Sequence, residues 1–239
     1  MSVTDPGDRS ATRRRIYLVR HGAVEYFDAA GRPHVSQDVP LSSVGREQAA
    51  ALAAALREVH IDRVVTSGLP RTMETAEIAV GERSVPVERH PALREIEPGK
   101  WKSTDPAMIA ARLRGAFLGP MHRDRRFLEG ETFGEFLDRV VPCFEQLVAD
   151  DGWRRMLIVA HGGVNRAIVC RALELDLPAF GSLEQDTACL NVLDVDDAAQ
   201  GADAAQDDGA TRFIVRLLNY TAYDHAKHHI VRTTMEQLY

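Results

Sequence analysis

Apolar positions along the chain keep two different rhythms. Short runs rich in β-branched residues, IYLV (16–19), RVVTS (63–67), MLIVA (156–160), CLNVLDV (189–195) and FIVRLL (213–218), predict strands. SVPVERHPALRE (84–95) reads as a further strand running into a loop. Elsewhere apolar residues recur every three or four positions, the spacing of one helix face. In LSSVGREQAAALAAALREVHI (41–61) these are Ala49, Leu52, Ala53, Leu56 and Val59, with Ser42 or Ser43 as the N-cap. LPRTMETAEIAV (69–80) predicts a second helix with Pro70 in its first turn. FGEFLDRVVPCFEQLVADDG (133–152) predicts a long amphipathic helix that Pro142 should kink or split, and VNRAIVCRALEL (164–175) a further one.

The order strand, helix, strand, helix, strand is the alternation of a parallel sheet covered on both faces. The fold class expected is therefore α/β: a three-layer α/β/α arrangement around a mostly parallel, doubly wound sheet. Residues 1–12 carry no apolar pattern and read as a disordered tail, leaving 13–239 as a single domain. Residues about 98–130 are rich in Gly, Pro and Arg and are expected as an insertion over the sheet edge and the active site. DVDDAAQGADAAQDDGA (194–210) reads as a mobile acidic hairpin loop.

Composition narrows the function. The formal net charge of -6 argues against nucleic acid or an anionic membrane surface as the main partner. No apolar stretch approaches the ~20 residues that span a bilayer. The stretch MSVTDPGDRSATRRR lacks the apolar core of a secretory signal, so a cytoplasmic location is expected. Cys143, Cys170 and Cys189 form an odd set without CxxC spacing and read as small apolar fillers in a reducing compartment. Homodimerisation stays open, because interface patches cannot be told from core patches in the pattern.

Two predicted strands end alike, IYLVRHG and LIVAHGG, each closing in His-Gly. In open α/β sheets ligands bind beyond the carboxyl ends of the strands, where strand order reverses. His21 and His161 would there face one crevice, with Arg20 beside the first. Arg71 lies in the first turn of a helix, where free N–H groups and the helix dipole favour an anion. Glu95 and Glu97 follow a strand end, and one carboxylate beside such cations suits a general acid.

These pieces, in this order, resemble the first branch of the histidine phosphatase superfamily, also called phosphoglycerate-mutase-like. Arg20-His21-Gly22 matches its RHG signature, PLSSVGREQA its PLTxxGxxQA segment and TSGLPRTMETA its SSxLxRAxxTA segment. LREIEPGKW, EGETF and VAHGG match its remaining motifs over nearly the whole chain. The second branch expects RHGxRxP and His-Asp, whereas Val24, Tyr26 and Gly162 stand at those positions.

The resemblance implies a metal-independent phosphomonoester hydrolase that needs no cofactor and takes a small phosphorylated substrate. His21 would be the nucleophile that forms a phosphohistidine, and Glu95, ahead of Glu97, the general acid/base. Arg20, Arg71 and His161 would surround the phosphoryl oxygens, with Gly22 and Gly162 giving room to the phosphate. A phosphoglycerate mutase and a catalytically silent phosphate sensor are the alternatives. The ~30-residue insertion favours an enclosed small substrate over a protein surface.

The family's usual Thr and Asn after RHG, which help bind phosphate, are replaced here by Val24 and Phe27. Lys102 stands where an acidic residue usually follows Trp101, and Tyr223 where a His is common. In the insertion Arg112, Arg114, His122, Arg123, Arg125 and Arg126 read either as a lid that contacts a second anionic group or as a solvated face. His225, Lys227, His228 and His229 read as a surface helix or pocket edge, not a metal site.

Overall fold

The computed structural model describes residues 13–26, 38–99, 108, 111, 116, 117, 119, 121–196 and 211–228. The predicted tail, positions 197–210 of the acidic loop, and Phe27, Trp101, Lys102, Arg112, Arg114 and His229 lie outside them.

Six strands form one sheet in the order β3-β2-β4-β1-β5-β6. They are β1 (Arg13–Arg20), β2 (Arg63–Thr66), β3 (Val87–Arg89), β4 (Arg155–Ala160), β5 (Leu190–Asp196) and β6 (Arg212–Tyr220). The first four run parallel, while β5 pairs antiparallel with both β1 and β6. Side chains alternate across a pleat, and β1 obeys this strictly. Ile16 and Leu18 enter one buried cluster, whereas Tyr17 and Val19 enter the other. Register extends the same split into β4, where Ile158 lies beside Leu18 and Val159 beside Val19.

Helices α1 (Ser43–Ala55) and α2 (Pro70–Val80) cover the Tyr17 face through Leu52, Ala76 and Ala79. Helices α3 (Phe133–Ala149) and α4 (Gly162–Ala172) cover the Ile16 face through Phe136, Phe144 and Ile168. Parallel crossovers are right-handed, so the step from β1 to β2 and the step from β3 to β4, which run in opposite directions across the sheet, use opposite faces. The chain leaves the paired carboxyl ends of β1 and β4 toward opposite faces, and the crevice lies beyond those ends.

Local chemistry sets the helix starts. The Ser42 hydroxyl accepts from Gly45 N at 3.1 Å, selecting it over Ser43 as the cap of α1. Thr132 and Glu135 form a reciprocal capping box at the start of α3. Of the kink or split expected at Pro142, the split does not occur: α3 runs unbroken through it. A proline inside a helix costs about 3 kcal/mol. Phe133, Phe136, Val140, Phe144 and Leu147, all buried on one stripe, hold the helix together against that cost.

Where it is described, the 98–130 insertion contributes Ala116, Met121 and Phe127 to the Ile16-side core. Phe117 lies 5.5 Å from the Phe127 ring and 5.6 Å from Phe180, in the 3-10 segment Leu177–Ser182. Cys170 and Cys189 are buried and Cys143 half-buried, all as free thiols. Burial pushes the Cys170 thiol up to about 11 and Cys189 to about 12, which keeps both protonated and inert. Among the described residues, no helix is long and apolar enough to cross a membrane.

Candidate active site

The crevice between β1 and β4 gathers the predicted residues. His21 continues β1: its N–H donates to Ala160 O at 3.0 Å, and its carbonyl accepts from Ala188 N at 3.1 Å. Ala188 holds that bond with φ of 50°, a left-handed conformation costly for a residue with a Cβ. His161 follows Ala160 and caps α4. The two imidazoles meet edge to face with centroids 5.2 Å apart, and both are buried.

Hydrogen-bond logic assigns their protons. His21 Nδ1 lies 2.7 Å from Gly22 O, and a carbonyl can only accept, so Nδ1 carries the hydrogen. Its Nε2 then presents a lone pair. For His161 the reasoning runs through two hydroxyls. Thr72 Oγ1 donates to Leu69 O at 2.8 Å, so it accepts from Ser67 Oγ at 3.0 Å. The Ser67 hydroxyl, having given its one hydrogen, accepts from His161 Nε2 at 2.8 Å. His161 Nδ1 is left bare and has no partner. Burial, followed by the charges of Arg71 and Arg20, drives the His21 pKa well below 6.5. The His161 value falls well below 6.5 through burial and then Arg71, His21 and Arg20. Both rings are neutral at pH 7.

The cations are also buried. Arg20 donates from Nη1 to Gln185 O at 2.7 Å, while its Nε has no partner. Arg71 follows Pro70 at the start of α2 and is only 4% exposed. An unmatched buried donor costs about 1–3 kcal/mol, so Arg20 Nε, together with the buried positive charges of Arg20 and Arg71 beside His21, calls for an anionic occupant.

The carboxylate comes from the far side of the crevice. Glu95 Oε2 accepts from Gly163 N at 3.0 Å, and its Oε1 accepts from Ile96 N at 3.0 Å. It thus hangs from the helix turn that His161 caps. Glu97 is exposed and takes no such position. Arg139 of α3 holds the Glu95 loop by all five of its N–H groups. They reach the carbonyls of Ala92 (2.8 Å), Arg94 (2.7 Å) and Glu95 (3.0 Å), and both Glu131 oxygens (2.7 and 2.8 Å).

Residues 16–208 match the profile of the histidine phosphatase superfamily (branch 1). The chain belongs to that family. It is 34% identical over 183 residues to glucosyl-3-phosphoglycerate phosphatase of Mycolicibacterium vanbaalenii, covering 71% of this chain and 80% of that one. It is 28% identical to the adenosylcobalamin/alpha-ribazole phosphatase of Salmonella typhimurium, over 76% of this chain and 90% of that one. The solved mycobacterial glucosyl-3-phosphoglycerate phosphatase with VO3 superposes with a TM-score of 0.67 and 27% identity, covering 86% and 98% of the two chains.

Within this histidine phosphatase the glycines act through close approach. A Cβ on Gly22 would lie 2.5 Å from Gly45 O, and the Gly22 N–H donates to Thr75 Oγ1 at 3.1 Å. Gly22 thus lets α1 dock against the strand end, without the left-handed turn that a sharp bend would need. At the second motif Gly163 is the tighter position: its Cβ would lie 2.4 Å from Glu95 Oε1, whereas one on Gly162 would meet Arg20 Nε at 3.5 Å.

Of the described insertion arginines, Arg125 and Arg126 bond within their own loop and Arg123 bonds to α3. Arg123 pairs with Asp138 at 2.6 Å, Arg125 donates to Ala116 O at 3.1 Å, and Arg126 donates to Gly130 O at 2.8 Å. Near the C-terminal end of the described chain, Lys227 pairs with Asp186 at 2.5 Å and His228 with Asp224 at 3.2 Å. Lys227 and His228 follow a turn and lie on no helix, and Lys227 ties the chain to the loop that supports Arg20 and His21.

Sequence reasoning passed over Ser67, Arg139, Glu131 and Gln185. Ser67 had a usable signal, since it follows β2 in the same layer as the two histidines. Arg139 had none, because its partners are 8 to 47 positions away.

Proposed function

We propose that the protein is a phosphomonoesterase for a small phosphorylated metabolite, working through a phosphohistidine on His21 without a metal ion. The observation that carries this reading is the His21 tautomer: Nδ1 engaged by Gly22 O, and Nε2 left with its lone pair in a cationic crevice. Nε2 attacks phosphorus in line, the P–N bond forms, and the bond to the leaving oxygen breaks. Glu95 donates its proton to that oxygen, then removes one from the water that cleaves the P–N bond and releases phosphate.

Arg20, Arg71 and His161 surround the non-bridging oxygens, where negative charge grows. At an effective dielectric near 20, each close charge pair contributes about 4 kcal/mol before desolvation. The dianion also draws a proton onto the unpartnered His161 Nδ1, turning it into a donor. The named activities of the two phosphatase relatives, both on small phosphorylated compounds, support the substrate class.

The test is turnover of p-nitrophenyl phosphate in excess EDTA, followed by a screen of phosphorylated metabolites. Activity that survives EDTA and vanishes in His21→Ala is expected; equal rates in the two proteins end the proposal. A coupled assay showing interconversion of 2- and 3-phosphoglycerate without phosphate release would favour the mutase instead.

A further inference from the structure

Tyr26 stands beside the nucleophile without a part in the scheme above. Its Oη lies 3.4 Å from His21 Nε2, and the Arg71 guanidinium lies over its ring, 5.9 Å from the centroid. We infer that the Tyr26 hydroxyl is a phosphate-contacting residue, which donates to Nε2 in the free enzyme and to a phosphoryl oxygen once phosphorus occupies that nitrogen. The inference rests on the phosphohistidine reading.

The direction of the contact follows from the tautomer. Nδ1 holds the imidazole hydrogen, so Nε2 can only accept and the phenol must donate. The separation exceeds the usual 2.7–3.0 Å of a firm O–H hydrogen bond, roughly speaking, so the contact is held loosely and is easily exchanged. Attack on phosphorus consumes the very lone pair that the phenol faces. The O–H then has no acceptor on the ring, while a non-bridging oxygen bearing charge arrives within reach. Exchange keeps the donor satisfied and gives the anion a hydrogen bond.

The same exchange accounts for two departures in the sequence. Val24 and Phe27 replace the Thr and Asn that the family pattern offers to phosphate, which removes two side-chain donors. A phenol at position 26 restores one of them from the same segment. Arg71, over the ring face, keeps the phenol turned toward the crevice by a cation–π contact and itself belongs to the anion site. Tyr26 therefore reads the phosphoryl group and not the leaving alcohol. Its contribution falls on every substrate alike.

The decisive variant is Tyr26→Phe, which retains the ring and removes only the donor. Losing a hydrogen bond to a charged acceptor predicts about tenfold weaker inhibition by orthovanadate and a similar rise in KM. A purely steric cap over Nε2 predicts the reverse, because binding would no longer have to break the Oη contact. Unchanged or tighter vanadate inhibition overturns the inference.

A crystal of the wild-type protein soaked in vanadate gives an answer independent of the variant's folding. Oη at about 3 Å from a vanadate oxygen supports the assignment, and Oη turned away to solvent refutes it. If wild-type protein shows no turnover at all, the phosphatase reading fails by itself, while the vanadate contact is still read directly.

Discussion

Gly163 donates its amide hydrogen to Glu95 Oε2 at 3.0 Å, and a Cβ on Gly163 would lie 2.4 Å from Oε1 of the same carboxylate. The helix that carries His161 thus seats the carboxylate and leaves no room for a side chain between them. Gly163→Ala should push Glu95 out of place and lower kcat by about 10²-fold, the usual scale of acid–base assistance. The melting temperature should move little, and Glu95→Gln should lose about as much. A Gly163→Ala enzyme with wild-type kcat would remove Glu95 from its role.

Arg139 acts at one remove, through the backbone of the Glu95 loop. Lysine has three rotatable donors and cannot replace a planar fork that satisfies five acceptors. Arg139→Lys should reduce kcat more than tenfold, by misplacing Glu95, while KM and vanadate inhibition stay close to wild type. A rise in KM with kcat preserved would instead assign Arg139 to substrate binding.

Arg71 depresses both buried histidines electrostatically. With Arg71→Gln the His21 pKa rises toward 6.5, because one of its charged neighbours is gone while burial is retained. Protonated His21 cannot attack. The acid limb of the kcat/KM profile should therefore shift to higher pH, an effect that pH–rate profiles of the two proteins will show.

Stability should follow the same groups. Each histidine has a folded pKa below its unfolded value near 6.5, so the unfolded chain binds protons first as pH falls. Their contribution is complete above pH 6.5 and is lost below it, by no more than about 1.4 kcal/mol per pH unit for each. Thermal melts from pH 7.5 to 5 should show the decline. His21→Asn should flatten it, and added phosphate, which favours the protonated rings, should do the same.

Much of this molecule is legible along the chain, and the reason lies in distance. Strands, helices and their caps arise from neighbours within a few positions, so alternation in Ile16–Val19 and the three- and four-residue steps of Ala49, Leu52 and Leu56 read directly. Arg20, His21, Arg71, Glu95 and His161 were readable because strand ends and helix starts mark where such groups can meet. Pro142 does not split its helix, since its local cost is overruled by a buried stripe that only the packed helix presents.

What tertiary structure alone decided is the protonation and support of the site. The unprotonated Nε2 of His21 depends on the backbone after the strand end turning Gly22 O back toward Nδ1. The His161 tautomer depends on Ser67 and Thr72, brought from another strand end and helix. Arg139 finds loop carbonyls more than 40 positions away. Local pattern records which groups a chain carries, but a proton's position answers to every donor and acceptor within about 3 Å, and only folding chooses those.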